Sequence, residues 1–509
     1  MGDAASINDW LIAVTGEIDG FMYTWILVFL LVAVGLWFSF KTKFVQIRYI
    51  KDMFTQLVEK KHVNGERSIS SFQALMVSTA SRVGTGNIAG IATAIATGGP
   101  GAVFWMWLMS IIGAASAFVE STLAQIWKIR GEEGEFRGGP AYYIQQGLGK
   151  RWLGIVFAIA LILCFAFGFN GLQAYNMTSA LEYYIPDYAT NGTAIGVGIA
   201  TIVFTAFVIF GGAKRISIIT SIIVPVMACA YIALAVWTTA VNIGEIPAVF
   251  ALIFESAFDF QSIAGGFAGS VIMLGIKRGL FSNEAGMGSA PNAAATASVS
   301  HPCKQGLVQS LSVYIDTLLI CTCSAMMVLI FYVQNPEAAQ ALNGMPLVQM
   351  AVNNSVGEFG IHFITFAIFA FAFSSLIGNY FYAESNLRFI KNNPILLFVF
   401  RIACLAAIMY GCLNSFDLAW NLADIFMGFM AIINLIAILL LGKWALKALD
   451  DYTRQRKAGH DPVFVASSIP GLPETECWHK EELHDYGPQP VKEYFEEALD
   501  VDGDAPLLK

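Results

Sequence analysis

Apolar residues along this 509-residue chain gather in long blocks, each near the ~20 residues a bilayer-crossing helix needs. The first block, Phe21–Phe40, is followed by ten more, at roughly 70–97, 101–127, 152–180, 193–212, 216–240, 254–281, 306–333, 359–389, 395–412 and 418–444. The pattern predicts an all-α polytopic membrane protein with eleven transmembrane helices. Residues 1–20 hold Asp3, Asp9, Glu17 and Asp19 and no basic residue, so the first block lacks a signal peptide's basic start and is expected to stay as a helix.

The connections test this count. Lys41, Lys43, Arg48, Lys51, Lys60, Lys61 and Arg67 follow the first block and mark a cytoplasmic side, with the N-terminus outside. Gly98-Gly99-Pro100, Glu182–Asn191, Asn242–Pro247, Gln334–Gly357 and Leu413–Asp417 hold no Lys or Arg. The alternate connections hold Lys128, Arg130, Arg137, Lys150 and Arg151, then Lys214 and Arg215, then Lys277, Arg278 and Lys304, then Arg388 and Lys391. Eleven crossings leave the C-terminus cytoplasmic, as in a bacterial inner-membrane protein.

Composition agrees: 56% of residues are hydrophobic and 13% charged, with mean hydropathy +0.62. The net charge of −8 belongs to the C-terminal tail, since Asp450–Lys509 carries 14 acidic and 6 basic residues. With six prolines it reads as a solvated acidic extension. The eight cysteines lie in apolar runs or cytoplasmic segments and show no zinc spacing.

One block is interrupted where a membrane helix should be most regular. Ser81-Arg82-Val83-Gly84-Thr85-Gly86-Asn87-Ile88-Ala89-Gly90 sets glycines at mid-depth, and backbone freed there is tolerated where it lines a cavity. Gly86 and Gly90 also suit close helix packing, which needs no ligand. Without the first helix, ten segments divide into two sets of five, and an odd number makes the second set run inverted. Its opening helix, at about 254–281, carries Gly265-Gly266-Phe267-Ala268-Gly269. Two glycine-interrupted helices at matching positions point to a secondary transporter's binding site. The expected domains are 1–67 (N-terminal segment, first helix and loop), 68–240 and 241–445 (the five-helix repeats) and 446–509 (the tail).

Arg82-Val83-Gly84-Thr85-Gly86-Asn87-Ile88-Ala89-Gly90, Gly98-Gly99-Pro100-Gly101-Ala102, Gly211-Gly212-Ala213-Lys214-Arg215-Ile216 and the run Lys277–Pro291 resemble signatures of the alanine/glycine:cation symporter family, with a leucine-transporter-type fold. The resemblance covers roughly residues 20–445. It implies sodium-coupled uptake of a small neutral amino acid by a 5+5 inverted repeat with one preceding helix and two discontinuous helices.

An amino acid needs donors for its carboxylate, acceptors for its ammonium and a pocket for its side chain. The amides around Thr85, Gly86 and Asn87, with the Thr85 and Ser81 hydroxyls, suit the carboxylate. Asn170, Gln173 and Asn176 form a polar stripe on the fourth helix, and Gln173 holds a position where the family often places a substrate-facing glutamine. Interhelical hydrogen bonding is the alternative for Asn170 and Asn176. Phe267, Gly269 and Met273 are the expected pocket walls. The resemblance further implies a sodium site of Ser374 and Ser375 with Phe371 and the carbonyls of Ala80 and Val83. Serine pairs in membrane helices also simply bond to the preceding turn. Arg82 and Glu120 form a structural pair or an inner gate. Asp316, a lone acid in the eighth helix, is a structural hydrogen-bonding group or a cation or proton site.

No P-loop run is present, and His62, His301, His362, His460, His479 and His484 are scattered, so enzyme chemistry is not expected. The expected partners are the amino acid, sodium as coupling ion and the bilayer, with no cofactor, no nucleic acid and a functional monomer. Proton coupling is the mechanistic alternative. An ion channel is the other, because carbonyls at glycine breaks also pass ions.

Overall fold

A computed structural model describes residues 2–59, 68–131, 134–259, 271–413 and 416–479. From the N-terminus run α1 (Asp9–Lys41), α2 (Ser71–Arg82), α3 (Ile91–Gly98), α4 (Ala102–Ile126), α5 (Arg151–Ser179), α6 (Thr193–Ile209) and α7 (Gly212–Val241). Then follow α8 (Ile246–Ala257), α9 (Val271–Asn283), the short α10 (Pro291–Ala294), α11 (Pro302–Gln334), α12 (Glu358–Ile390), α13 (Pro394–Cys412) and α14 (Phe416–Lys457). Among the described residues, eight helices, α1, α4, α5, α7 and α11 to α14, are long and apolar enough to cross a membrane.

Local chemistry sets several boundaries. Ser70 and Gln73 form a capping box at the start of α2, exchanging bonds of 3.2 and 3.0 Å. Asn393 caps α13 by accepting the amides of Ile395 and Leu396, and Pro394 begins the helix, where its missing N–H costs nothing. Large apolar side chains such as Trp25, Phe204, Phe207, Ile222, Trp237 and Phe366 face outward, as lipid contact requires.

The first interruption falls where glycine predicts it. Arg82 ends α2, Val83 leaves the helix with ψ near 87°, and Gly86–Gly90 resumes as a π-helix rather than as unwound chain. The second expected interruption, Gly265–Gly269 with Phe267, lies outside the described residues. Further along, α9 continues through Lys277 and Arg278 to Asn283, and the chain then breaks over Glu284–Ala290. Glu284, Gly286 and Gly288 there take φ of 56°, 82° and 86°. The two interrupted helices are tied at one end, where Ile69 pairs with Ala297 and its carbonyl accepts the Ser298 amide at 3.0 Å.

The last helix overruns the expected boundary at 445 and ends at Lys457. The chain beyond it also departs from the sequence expectation. Residues 458–479 pack onto the bundle, with Phe464, Cys477 and Trp478 buried. The Trp478 indole donates to the Gln125 carbonyl at 2.8 Å, and Lys128 sits between the rings of Trp478 and Phe136. This part of the tail buries aromatic surface despite its charge.

Candidate functional site

At the first break, two main-chain donors that the helix no longer uses turn to side chains. The Gly84 amide donates to Asn87 Oδ1 at 3.0 Å, and the Thr85 amide donates to Gln173 Oε1 at 3.0 Å. The Thr85 hydroxyl accepts from Asn176 Nδ2 at 3.1 Å. Gln173 and Asn176 therefore reach the break from α5, directly after a π-helical stretch, Leu163–Phe169, that offsets the helix. A side chain at Gly84 would collide with the Ser375 hydroxyl, and one at Gly86 with the Phe281 ring. Both glycines are thus required by close approach.

At the second break the amides meet a resident carboxylate. Glu120 Oε1 and Oε2 accept the amides of Gly286 and Gly288, each at 3.1 Å, and Asn434 Nδ2 donates to Oε2 at 2.7 Å. Glu120 belongs to this loop, and Arg82 pairs elsewhere than expected. Its guanidinium lies 3.7 Å from Glu284 and donates to the Ser312 hydroxyl. Glu284 also accepts from Ser81 at 3.1 Å and Ser289 at 2.6 Å, so one carboxylate bridges both breaks. Ser81 donates to Asn379 as well, which in turn donates to Asn170.

Asp316 joins the same two elements. One oxygen accepts from Asn87 Nδ2 at 2.7 Å, and the other accepts from the hydroxyls of Ser282 and Thr317. It sits in a further π-helical stretch, Tyr314–Cys321, of α11. Asp316 is therefore linked directly to the first break and to the end of α9.

The hydroxyl pair divides. Ser375 Oγ donates to the Ala80 carbonyl at 2.9 Å, with the Val83 carbonyl 3.5 Å away, while Ser374 Oγ bonds its own helix at the Phe371 carbonyl, 2.9 Å. The carbonyls of Ala80 and Val83 at the end of α2 meet the Ser375 hydroxyl, hard oxygens of the kind a small monovalent cation takes, while Ser374 and Phe371 supply the neighbouring hydroxyl and carbonyl of α12. Among the described residues no group of three His, Cys, Asp or Glu side chains offers a metal centre.

Met273 lies on the same helix as Phe281. It is buried in the core eight residues before Phe281, about 12 Å along α9 at ~1.5 Å per residue.

A model of the sodium:alanine symporter family matches residues 8–466. The chain belongs to this family. Similar relatives include the amino-acid carrier protein AlsT of Bacillus subtilis, 50% identical across 89% of this chain and 95% of that one. The probable sodium/glutamine symporter GlnT of the same organism is 47% identical, over 91% and 95%. The sodium/alanine symporter AgcS of Methanococcus maripaludis is 34% identical, over 88% and 98%. Among solved structures, MhsT in complex with L-phenylalanine superposes with a TM-score of 0.55 at 14% identity, covering 76% of this chain and 96% of that one. That likeness concerns the fold, which is the leucine-transporter type. The protein is an integral membrane transporter, not an enzyme.

In this symporter-family chain, several site residues escaped sequence reasoning. Lys277 and Arg278 read as a cytoplasmic connection, yet Lys277 pairs with Asp19 at 2.5 Å and with Asp424 at 2.7 Å, and Arg278 pairs with Asp424 at 3.1 Å. Asp424 is 1% exposed. Arg278 stacks on Trp420 at 4.1 Å, and Phe281 lies between Trp420 and Phe169, at 5.2 and 4.8 Å, against Gly86. The available signal was pairing: two acids and two bases inside apolar segments each demand a counter-charge.

Proposed function

We propose that this protein carries small neutral amino acids, alanine with glycine and serine, into the cell by sodium-coupled symport with alternating access. The substrate carboxylate takes the Gly84 and Thr85 amides and the Thr85 hydroxyl. Asn87 withdraws, and Gln173 gives up the Thr85 amide and turns its Nε2 to the carboxylate. Sodium binds among the carbonyls of Ala80, Val83 and Phe371 and the hydroxyls of Ser374 and Ser375. Phe281 and Trp420 lie over the site, and the Lys277–Arg278–Asp19–Asp424 cluster locks that cover.

The observation that carries this reading is the neutral, exchangeable partnering of the first break's amides. A buried amide already satisfied by a carboxylate has no reason to exchange; one satisfied by an amide side chain gains a charge-assisted bond when a carboxylate arrives. The names of AlsT, AgcS and GlnT support an amino-acid cargo and leave glutamine as a competitor to include. Two inverted five-helix repeats, eleven crossings, an outside N-terminus and a monomeric unit complete the proposal.

The test is uptake of radiolabelled alanine into proteoliposomes. Accumulation above equilibrium under an inward sodium gradient, competed by glycine and serine, is expected. Equilibration without accumulation overturns symport in favour of a channel. A second reading, proton coupling, rests on Asp316, whose carboxylate touches both interrupted elements. Accumulation driven by a pH jump without sodium, abolished in Asp316→Asn, establishes it instead.

A further inference from the structure

Away from the site, α5, α13 and α14 enclose a cavity of about 390 Å³. Its floor is made by small residues, Gly168 and Gly171 of α5 and Ala403, Ala406, Ala407 and Gly411 of α13, and its sides by Phe167, Tyr410, Leu422 and Phe426. The α13 positions recur at helical spacing, so they form one face. A side chain at Gly411 would run into the backbone of Gly171, which fixes the contact between the two helices. Alanines along the rest of that face keep the space beside the contact open.

No charged side chain lines the cavity, and water gains entry only where two to four polar partners hold it. Left empty, the walls would forfeit dispersion contacts on one side. The surrounding surface says what fills it. Val399 and Ile402 of α13 and Phe429 of α14 are exposed large apolar residues around the same helices, so the cavity continues the lipid-facing belt inward. At ~30 Å³ per water-sized group, the space takes about a dozen methylenes.

We propose that this groove is a binding site for one acyl chain of a membrane phospholipid. The chain lies behind the transport site, against the α5 segment that carries Asn170, Gln173 and Asn176. It also touches α14 beside Leu422, two residues from both Trp420 and Asp424. Lipid thereby braces the helix that presents Gln173 to the first break.

The test uses the whole protein in phosphatidylethanolamine–phosphatidylglycerol vesicles doped with a phospholipid bearing a diazirine on its acyl chain, followed by irradiation and peptide mapping. Adducts at residues 167–171 and 403–411 should exceed those on the exposed face of α6, residues 199–207, by about fivefold, the preference expected of close packing over bulk lipid contact. Ala406→Phe, which fills the groove, should remove most of that excess, while Ile402→Phe on the exposed belt should leave it. Should Ala406→Phe fail to yield folded protein, Ala403→Phe serves in its place. Labelling no denser in the groove than on α6, or unchanged by the filling variant, overturns the proposal.

Discussion

The two interrupted helices solve one problem in opposite ways. Each leaves backbone amides pointing into a low-dielectric interior, where an unpartnered donor is costly. At Gly84–Thr85 the partners are the neutral side chains of Asn87 and Gln173. At Gly286–Gly288 the partner is Glu120, itself held by Asn434. The second break is thus closed by a carboxylate belonging to the protein, and the first by neutral amide side chains, which under the proposed function give way to the substrate's carboxylate. Glycine content alone does not separate the two breaks; the charge of the residue that caps each does.

Substitutions break or sharpen this contrast. The largest effect is expected from Glu120→Ala, which orphans two buried amides and the Asn434 side chain, at about 1–3 kcal/mol for each unsatisfied group. Folded yield and melting temperature should fall whether or not alanine and sodium are present. Next, Thr85→Ala and Gln173→Ala should each raise the KM for alanine by about 10- to 100-fold, the loss of one hydrogen bond to a charged group, with little change in melting temperature for Thr85→Ala. Gln173→Ala also orphans the single Thr85 amide, so its melting temperature should fall, though by less than in Glu120→Ala, which orphans three groups. A larger loss of folded protein in these variants than in Glu120→Ala, with affinity lost in Glu120→Ala, would reverse the two roles. The double variant Ser374→Ala with Ser375→Ala should raise the sodium concentration for half-maximal uptake by roughly tenfold and leave alanine KM at saturating sodium within about twofold. Smallest in transport is Met273→Ala. It should lower stability by about 2–5 kcal/mol as a buried truncation while alanine KM stays unchanged, read from uptake and thermal melts.

Much of this was legible in the chain. Apolar blocks give helices because lipid admits little else, and Gly84 and Gly86 mark the first break because nothing larger fits beside Ser375 and Phe281. Asn87 stood out beside the glycines of the break and Gln173 in a polar stripe, while Ser375 came from the family resemblance; all three make contacts at the first break. The break over Glu284–Ala290 was not foreseen, because Lys277 and Arg278 look like a cytoplasmic connection. Their partners, Asp19 and Asp424, lie far away in sequence, and only the fold shows the charges neutralised within the bundle. Arg82 was matched with Glu120, whereas it pairs with Glu284, just past the end of α9. The packed segment 458–479 was missed because its charge outweighs its few aromatics in any composition average, whereas docking depends on where Phe464 and Trp478 fall.

The most direct test is an experimental density map of the protein with alanine and sodium bound. The account predicts the alanine carboxylate within about 3 Å of the Gly84 and Thr85 amides, with Glu120 still accepting from Gly286 and Gly288. A carboxylate bound at Gly286 and Gly288 with Glu120 displaced, or an unbroken helix through Val83–Thr85, would contradict it.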